Sequence, residues 1–413
     1  MSNDNTRTID RADERVRQDK GIAGAVRGFL DRVRSGDLGM LPVGVGLVVI
    51  SVVFSSLNPL FLAPNNLVNL LFDCATIGVI SLGIVCVLVL GEIDLSVGSM
   101  SGLASAIVGV AWVNLGLPLP LAIAMALATG ALVGAVYAAL LNWIGMPSFV
   151  STLSGLLALL GLQLYLLGNA GSINLPYASS LVSFGMLAIM PAWLAYLAAL
   201  LPGVLILLGG MANARRRRAV GLAAQPGGLL AIKVFALSVA LVFAVWYLGL
   251  GRGVPWMFAL FVLLVVVLDY ALTRTRWGRS MFAVGGNREA ARRVGIDIKR
   301  IYFSAFMLCS SLAALGGVMS AARLGSSSQQ AGTGDVNLNA IAAAVIGGTS
   351  LFGGRGSAYS ALLGVIVIAA ISNGLTLLNL SSSLRYMITG GVLAIAVIVD
   401  SLARSSRAAH GRS

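Results

Sequence analysis

Histidine is almost absent from this 413-residue chain; the only one is His410, close to the C-terminus. Cysteine is nearly as scarce, with Cys74, Cys86 and Cys309 each inside an apolar run and no CxxC pair. A zinc site or a Cys/His nucleophile pair needs such residues clustered, so neither is expected, and no cofactor is predicted. Lysine occurs only at Lys20, Lys233 and Lys299, and none completes a G-x-x-x-x-G-K-[ST] sequence. That loop supplies the lysine that meets nucleotide phosphates. Any ATP-driven work is therefore expected to come from a separate subunit, and the chain is not expected to be an enzyme.

Charge as a whole is sparse. Asp, Glu, Lys and Arg make up 10% of the residues against 58% hydrophobic, whereas soluble domains carry about 25% charged residues. The apolar residues fall in runs of about twenty, the length that crosses a hydrocarbon layer roughly 30 Å thick. The expected fold is all-α: a polytopic helical membrane protein with about 10–12 transmembrane helices.

The net charge of +13 would suit nucleic acid, but its placement argues otherwise. Of 28 Lys and Arg, 8 lie in residues 1–38, 4 in Arg215–Arg218, 8 in residues 274–300 and 3 in residues 404–413. Basic clusters flanking apolar spans mark the cytoplasmic side. The charge thus reports topology, with anionic membrane lipid as its partner and no nucleic acid.

Apolar runs punctuated by Gly, Pro and Asn predict spans near 40–57, 67–90, 96–115, 119–142, 148–168, 182–210, 228–249, 255–273, 301–322, 338–350, 358–378 and 384–403. Residues 1–38 read as a mixed-charge cytoplasmic tail with no signal-peptide h-region, and Gly21–Arg34 reads as a short amphipathic surface helix. Residues 39–403 form the membrane domain and residues 404–413 a second cytoplasmic tail. The run at 338–350 is short for a crossing, so a re-entrant or broken helix is the alternative to a full span. Counting it as a crossing puts both termini and every basic cluster on one side.

Ionisable residues in or beside the spans are few: Asp73, Glu92, Asp94, Asp269 and Asp400. Each carries a desolvation cost of about 3 kcal/mol or more in lipid. Asp73, Asp269 and Asp400 read as interfacial. Glu92 and Asp94 stand together in Gly91-Glu92-Ile93-Asp94-Leu95-Ser96-Val97-Gly98-Ser99. Asp94 or Ser96 is expected to cap the helix that follows, with a place for the acids in a path or gate as the alternative. The amides Gln163, Asn339 and Asn373 lie within spans, where they suit either a polyol or a neighbouring helix. With Glu92, Asp94, Ser96 and Ser99 they make up the candidate path residues. In the loop 274–300, Gly286 and Asn287 are placed to stop one element and cap another, and Glu289–Val294 favours a helix. That basic helix reads either as a docking element or as a plain positive-inside loop.

Several stretches together resemble the sugar-permease branch of binding-protein-dependent ABC importers, the ribose/xylose/galactoside type, and most nearly its xylose branch. They are Asn58-Pro59-x-Phe61, Glu92-Ile93-Asp94-Leu95-Ser96-Val97-Gly98-Ser99-Met100, Pro147-Ser148-Phe149-Val150-x-Thr152-Leu153, Gly285-Gly286-Asn287-x-Glu289-Ala290-Ala291, and Ile346-Gly347-Gly348-Thr349-Ser350-Leu351 with Gly353-Gly354. They run in the family's order over residues 40–403. Glu92, and an insertion between Pro147 and Trp277, are similar to the xylose branch.

The resemblance implies a second permease copy (a homodimer), two ATP-binding subunits on the cytoplasmic face, an extracytoplasmic sugar-binding protein, and a place in a bacterial inner membrane. It implies that Gly286, Asn287, Glu289, Ala290, Ala291 and Gly295 form the coupling element that docks on the ATPase. Two departures stand out: Asn337-Leu338-Asn339 where relatives carry Glu-Leu-Asp, and Arg292-Arg293-Val294 after the Ala-Ala pair. Competing readings are the same architecture moving nucleosides or branched-chain amino acids, an ion-coupled secondary transporter, and a membrane enzyme.

Overall fold

The computed structural model describes residues 41–219, 227–392, 394 and 398. The expected tails 1–38 and 404–413, the amphipathic stretch Gly21–Arg34, Asp400 and most of the last part of the 384–403 span lie outside the described residues. The chain divides into two compact units, one of residues 39–189 and 254–401, the other including Met190–Gly253.

The larger unit is a helical bundle. Its helices are α1 (Leu41–Leu57), α2 (Pro64–Val89), α3 (Val97–Val108), α4 (Leu119–Ala139), α5 (Ser148–Leu167) and the short α6 (Ser180–Met186). The smaller unit holds α7 (Ala192–Ala219) and α8 (Gly227–Gly249). The larger unit resumes with α9 (Trp256–Arg274), α10 (Arg276–Gly286), α11 (Arg288–Arg293), α12 (Ile298–Leu324), α13 (Val336–Ile346) and α14 (Ala358–Leu377). Two three-residue strands, β1 (Ser172–Asn174) and β2 (Ser326–Ser328), pair antiparallel with Ile173 opposite Ser327.

Among the described residues, nine helices are long and apolar enough to cross a membrane, which agrees with the all-α polytopic fold read from composition. They differ sharply in burial. The most apolar stretch of α2 is 83% buried, that of α12 67%, and that of α8 0%. Hydrophobicity all round a buried helix is the mark of a bundle core, and α12 is the core here, packed against α2, α3 and α4. Small residues permit that closeness. A Cβ on Gly134 of α4 would run into the Phe306 backbone of α12, and one on Gly130 into that of Ser310 and Ser311. In α3, Gly98 and Gly102 meet the backbone of the segment that precedes α13, at Gly332 and Ala331. Close main-chain approach of this kind is how helices associate where solvent exclusion gives no drive.

Three expected spans need correction or refinement. The run 182–210 is not one helix. Residues after Met186 leave the helix, with Leu187 at φ −121°, and Pro191 precedes the start of α7. Pro191 lacks an N–H donor and disfavours helix in the residue before it, and Gly185 packs α6 closely against the Ala322 backbone of α12. The chain leaves and re-enters the larger unit at neighbouring points, where Ile189 bridges Pro255 and the Trp256 N–H donates to Ala188 O at 3.1 Å.

The run 301–322 extends to 298–324. The run 338–350 contains only the 11-residue α13, about 16 Å of helix, against a hydrocarbon thickness of roughly 30 Å. The segment 325–335 before it includes β2 and passes Gly98 and Gly102 before α13 begins.

Replacing Gly134 with Ala should lower the thermal midpoint of the detergent-purified protein, since overpacking a helix contact costs about 1–3 kcal/mol. Gly161, with open space where a Cβ would sit, is the control: Gly161→Ala should leave the midpoint unchanged or raise it. Equal responses of the two variants in a thermal-shift measurement would contradict the packing described.

Candidate functional site

The basic loop between α9 and α12 is built from caps. Thr275 Oγ1 accepts from the Gly278 N–H at 3.2 Å and starts α10. Asn287 ends α10 and starts α11, its Oδ1 accepting from the Ala290 N–H at 2.9 Å. Asp297 Oδ1 then accepts from the Arg300 N–H at 3.2 Å and starts α12. Side-chain acceptors of this type satisfy donors that a helix start leaves orphaned. Between α11 and α12, Gly295 turns the chain at φ +84°, in the left-handed region that only glycine enters without strain.

One face of this loop is anchored and the other is open. Met281, Val284 and Ala291 are buried, and the Trp277 Nε1–H donates to Ser304 Oγ at 2.7 Å. Glu289, Ala290, Arg292, Arg293 and Val294 face outward, with Val294 76% exposed. The Glu289–Arg292 pair, at 3.7 Å, lies on that open face.

Behind the loop, three chain segments meet main chain to main chain. The Gly354 N–H donates to Val89 O at 2.9 Å. Gly285, in the last turn of α10, lies against Val89 O and Gly354 N, and Gly353 lies against Gly285 O and Gly91 N. A Cβ at Gly285 or Gly353 would collide with backbone atoms. The end of α2, the end of α10 and the turn before α14 are thus in direct backbone contact.

The segment Gly91–Ser96 continues from this junction into the bundle. Glu92 Oε2 accepts from Ser148 Oγ at 2.5 Å, at the first residue of α5. One turn on, Thr152 Oγ1 accepts from the Leu95 N–H at 3.2 Å. Asp94 is fully buried; its Oδ1 accepts from the Ser96 N–H at 2.8 Å and from Ser96 Oγ at 2.7 Å. The Cys309 thiol of α12 points at Asp94 Oδ2, 3.7 Å away. Asp94 thus holds Ser96, the residue before α3, while in the first turn of α3 the Gly98 N–H donates to Asn337 Oδ1.

The other predicted path residues do not gather at this place. Ser99 is buried on α3. Gln163 on α5 donates through Nε2 to Ser328 O, Gln329 O and Ala331 O at 3.0, 3.3 and 3.0 Å, holding the segment before α13. Asn339 Nδ2 donates to Asp335 Oδ2 at 2.8 Å. Asn373 exchanges amide bonds with Asn66 at 2.8 and 3.1 Å, near the N-terminal end of α2. Asp73 pairs with Arg323 at 2.9 Å, and Arg323 lies over the Phe72 ring. The sequence offered no local sign of Ser148, Thr152 or Arg323 as partners, because each bond spans more than fifty residues of chain.

The family model described as "Branched-chain amino acid transport system / permease component" matches residues 66–397. The chain is 36% identical over 343 residues to the xylose transport system permease protein XylH of Escherichia coli (strain K12), covering 83% of this chain and 86% of that protein. It is 31% identical over 374 residues to the protein of the same name from Haemophilus influenzae, with 89% and 98% covered. It is 30% identical over 358 residues to the ribose import permease protein RbsC of Escherichia coli (strain K12), with 86% and 92% covered. No solved structure matches the chain. A family match over four-fifths of the chain, with relatives aligned nearly end to end, makes this chain a member of the branched-chain amino acid transport system / permease component family.

Proposed function

We propose that this chain is the membrane-spanning permease subunit of an ABC importer that carries a monosaccharide, xylose or a related pentose, into the cytoplasm. ATP is hydrolysed by a separate subunit that docks on the open face of α11. Two copies pair around the path, a sugar-binding protein delivers substrate from outside, and both termini face the cytoplasm of a bacterium. Gly286, Asn287, Glu289, Ala290, Ala291 and Gly295 form the coupling element. The observation that carries this reading is α11 itself: a capped helix with one buried alanine, a bare outer face, and a backbone junction directly behind it. The named xylose and ribose permeases among the relatives support the substrate class.

Amino-acid transport, the activity in the family's description, is the second reading. A zwitterion favours fixed charges along its path, because unpaired charge is costly to desolvate. The buried polar side chains of the core are mostly hydroxyls and amides, with Asp94 the one carboxylate among those described. Neutral groups of that kind suit sugar hydroxyls better.

Proteoliposomes holding this chain with its ATPase subunits and binding protein should take up labelled xylose or another pentose only when ATP is present on the ATPase side. Uptake of leucine with no sugar uptake would contradict the substrate reading. For coupling, Glu289→Ala removes only a surface ion pair, worth about 0–1 kcal/mol. The variant should insert and melt like the parent while transport falls about tenfold. Gly295→Ala, which forces a side chain into the left-handed region at a cost of about 1–2 kcal/mol, should melt slightly earlier than the parent and also lose transport. Unchanged transport in both variants would remove the coupling assignment.

A further inference from the structure

The pair of helices α7 and α8 carries charge of one sign only. Residues 190–253 contain six basic residues, Arg215–Arg218, Lys233 and Arg252, and no Asp or Glu. Five of the six stand towards one end. Arg216, Arg217 and Arg218 lie in the last turn of α7, with Arg215 just before them. Lys233 is on the early part of α8, which starts at Gly227. The 28 residues of α7 make about 42 Å of helix, and roughly 30 Å of hydrocarbon takes up about 20 of them. Counted from Ala192, those residues end near Met211. Arg215–Arg218 then stand at the level of the lipid headgroups, which the long stem of Lys233 also reaches.

The two helices separate at that same end. Gly203 of α7 packs on Ser238 of α8, and Gly210 packs on Leu230. From the Gly210–Leu230 contact outward a cavity of about 320 Å³ opens, with Asn213, Arg215, Arg217 and Arg218 as its polar walls. That volume is within the range of small-ligand sites, about 300–1,000 Å³. Arg216, about 100° round the helix from Arg215, is not among the described residues that line it.

Helix ends alone do not account for this arrangement. The carbonyl end of α7 favours cations, which offsets part of the repulsion between arginines three positions apart. The start of α8, at Gly227, lies beside the same cavity and carries the opposite partial charge. The two dipole ends largely cancel there, and the guanidinium charge is left over. Residues 220–226, which join the helices, hold no charged residue. The counter-charge best matched to the place is a phosphate group at headgroup level, whose oxygens accept the guanidinium fork in pairs.

We propose that the cavity between the arginine end of α7 and the start of α8 binds the phosphate of an anionic phospholipid headgroup. Arg215 and Arg218 are its charged contacts for the test, and Asn213 is a neutral donor beside them. The site fixes a lipid on this smaller unit and is independent of the transported solute and of the role of α11.

Phosphatidylglycerol is the probe. The full chain, purified in detergent, is titrated with it, and bound lipid is counted by native mass spectrometry beside phosphatidylcholine. The parent should retain phosphatidylglycerol in preference. Arg215→Gln and Arg218→Gln should each weaken binding about fivefold, and the double variant about twenty-five-fold. Arg216→Gln removes the same charge from the same run and should bind like the parent. The substituted arginines are exposed, so all variants should melt alike without lipid, which separates lost binding from lost fold.

Equal weakening by Arg216→Gln would reduce the run to diffuse surface charge and overturn the site, as would equal retention of the two lipids. Displacement of the lipid by inorganic phosphate would make this a site for free phosphate and overturn the lipid assignment. Residues 1–38 hold seven acidic residues and are the competing occupant. Phosphatidylglycerol binding that Arg215→Gln and Arg218→Gln leave unchanged would overturn the proposal in favour of that tail.

Discussion

A backbone that leaves its helix inside a membrane must bond its N–H and C=O groups to protein, because hydrocarbon offers no partner. Two non-helical segments of this chain, Gly91–Ser96 and 325–335, are bonded by protein in this way. Each is held by side chains reaching in from a neighbouring helix: Ser148 and Thr152 of α5 for the first, Gln163 of α5 for the second. Ser327 Oγ adds a bond to Ser105 O of α3 at 2.7 Å. One helix, α5, thus supports both irregular segments. Moving α5 disturbs both at once.

The glycines complete this arrangement. Backbone contact at Gly285, Gly353 and Val89 leaves no compressible side chain between the basic loop and the core. Packed interiors respond to displacement by shifting between discrete arrangements and not by yielding gradually. In the coupling role proposed for α11, these backbone contacts are what would pass a push to the end of α2 and the turn before α14.

What was legible in the sequence was local. Gly286 and Asn287 as stop and cap, the helix after them and the glycine that ends it lie within ten residues, and structure and expectation agree there: α11 spans Arg288–Arg293 against an expected 289–294. Long apolar runs fixed most helices to within a few residues. The break after Met186 was missed because 182–210 was read as one mostly apolar run, although Pro191, just before the start of α7, was a local sign of it. The partners of Glu92, Gln163, Asn373 and Asp73 were hidden for another reason. Their bonds join residues from 56 to 307 positions apart, and no periodicity within a helix encodes that pairing. Asp94 and Ser96 were read as possible caps of α3, but Asp94 bonds Ser96 itself and the side chain reaching into the first turn is Asn337, 239 positions away from Gly98.

The central claim is that the open face of α11 lies in the cytoplasm and is covered by a motor subunit. The most direct measurement labels a Val294→Cys variant with a membrane-impermeant maleimide; the native Cys74, Cys86 and Cys309 are buried and give little background. Labelling in inverted membrane vesicles, absent in intact cells and suppressed when the ATPase subunits are bound, is the predicted result. Labelling from the outside of intact cells, or labelling in vesicles that the ATPase subunits leave untouched, would contradict it.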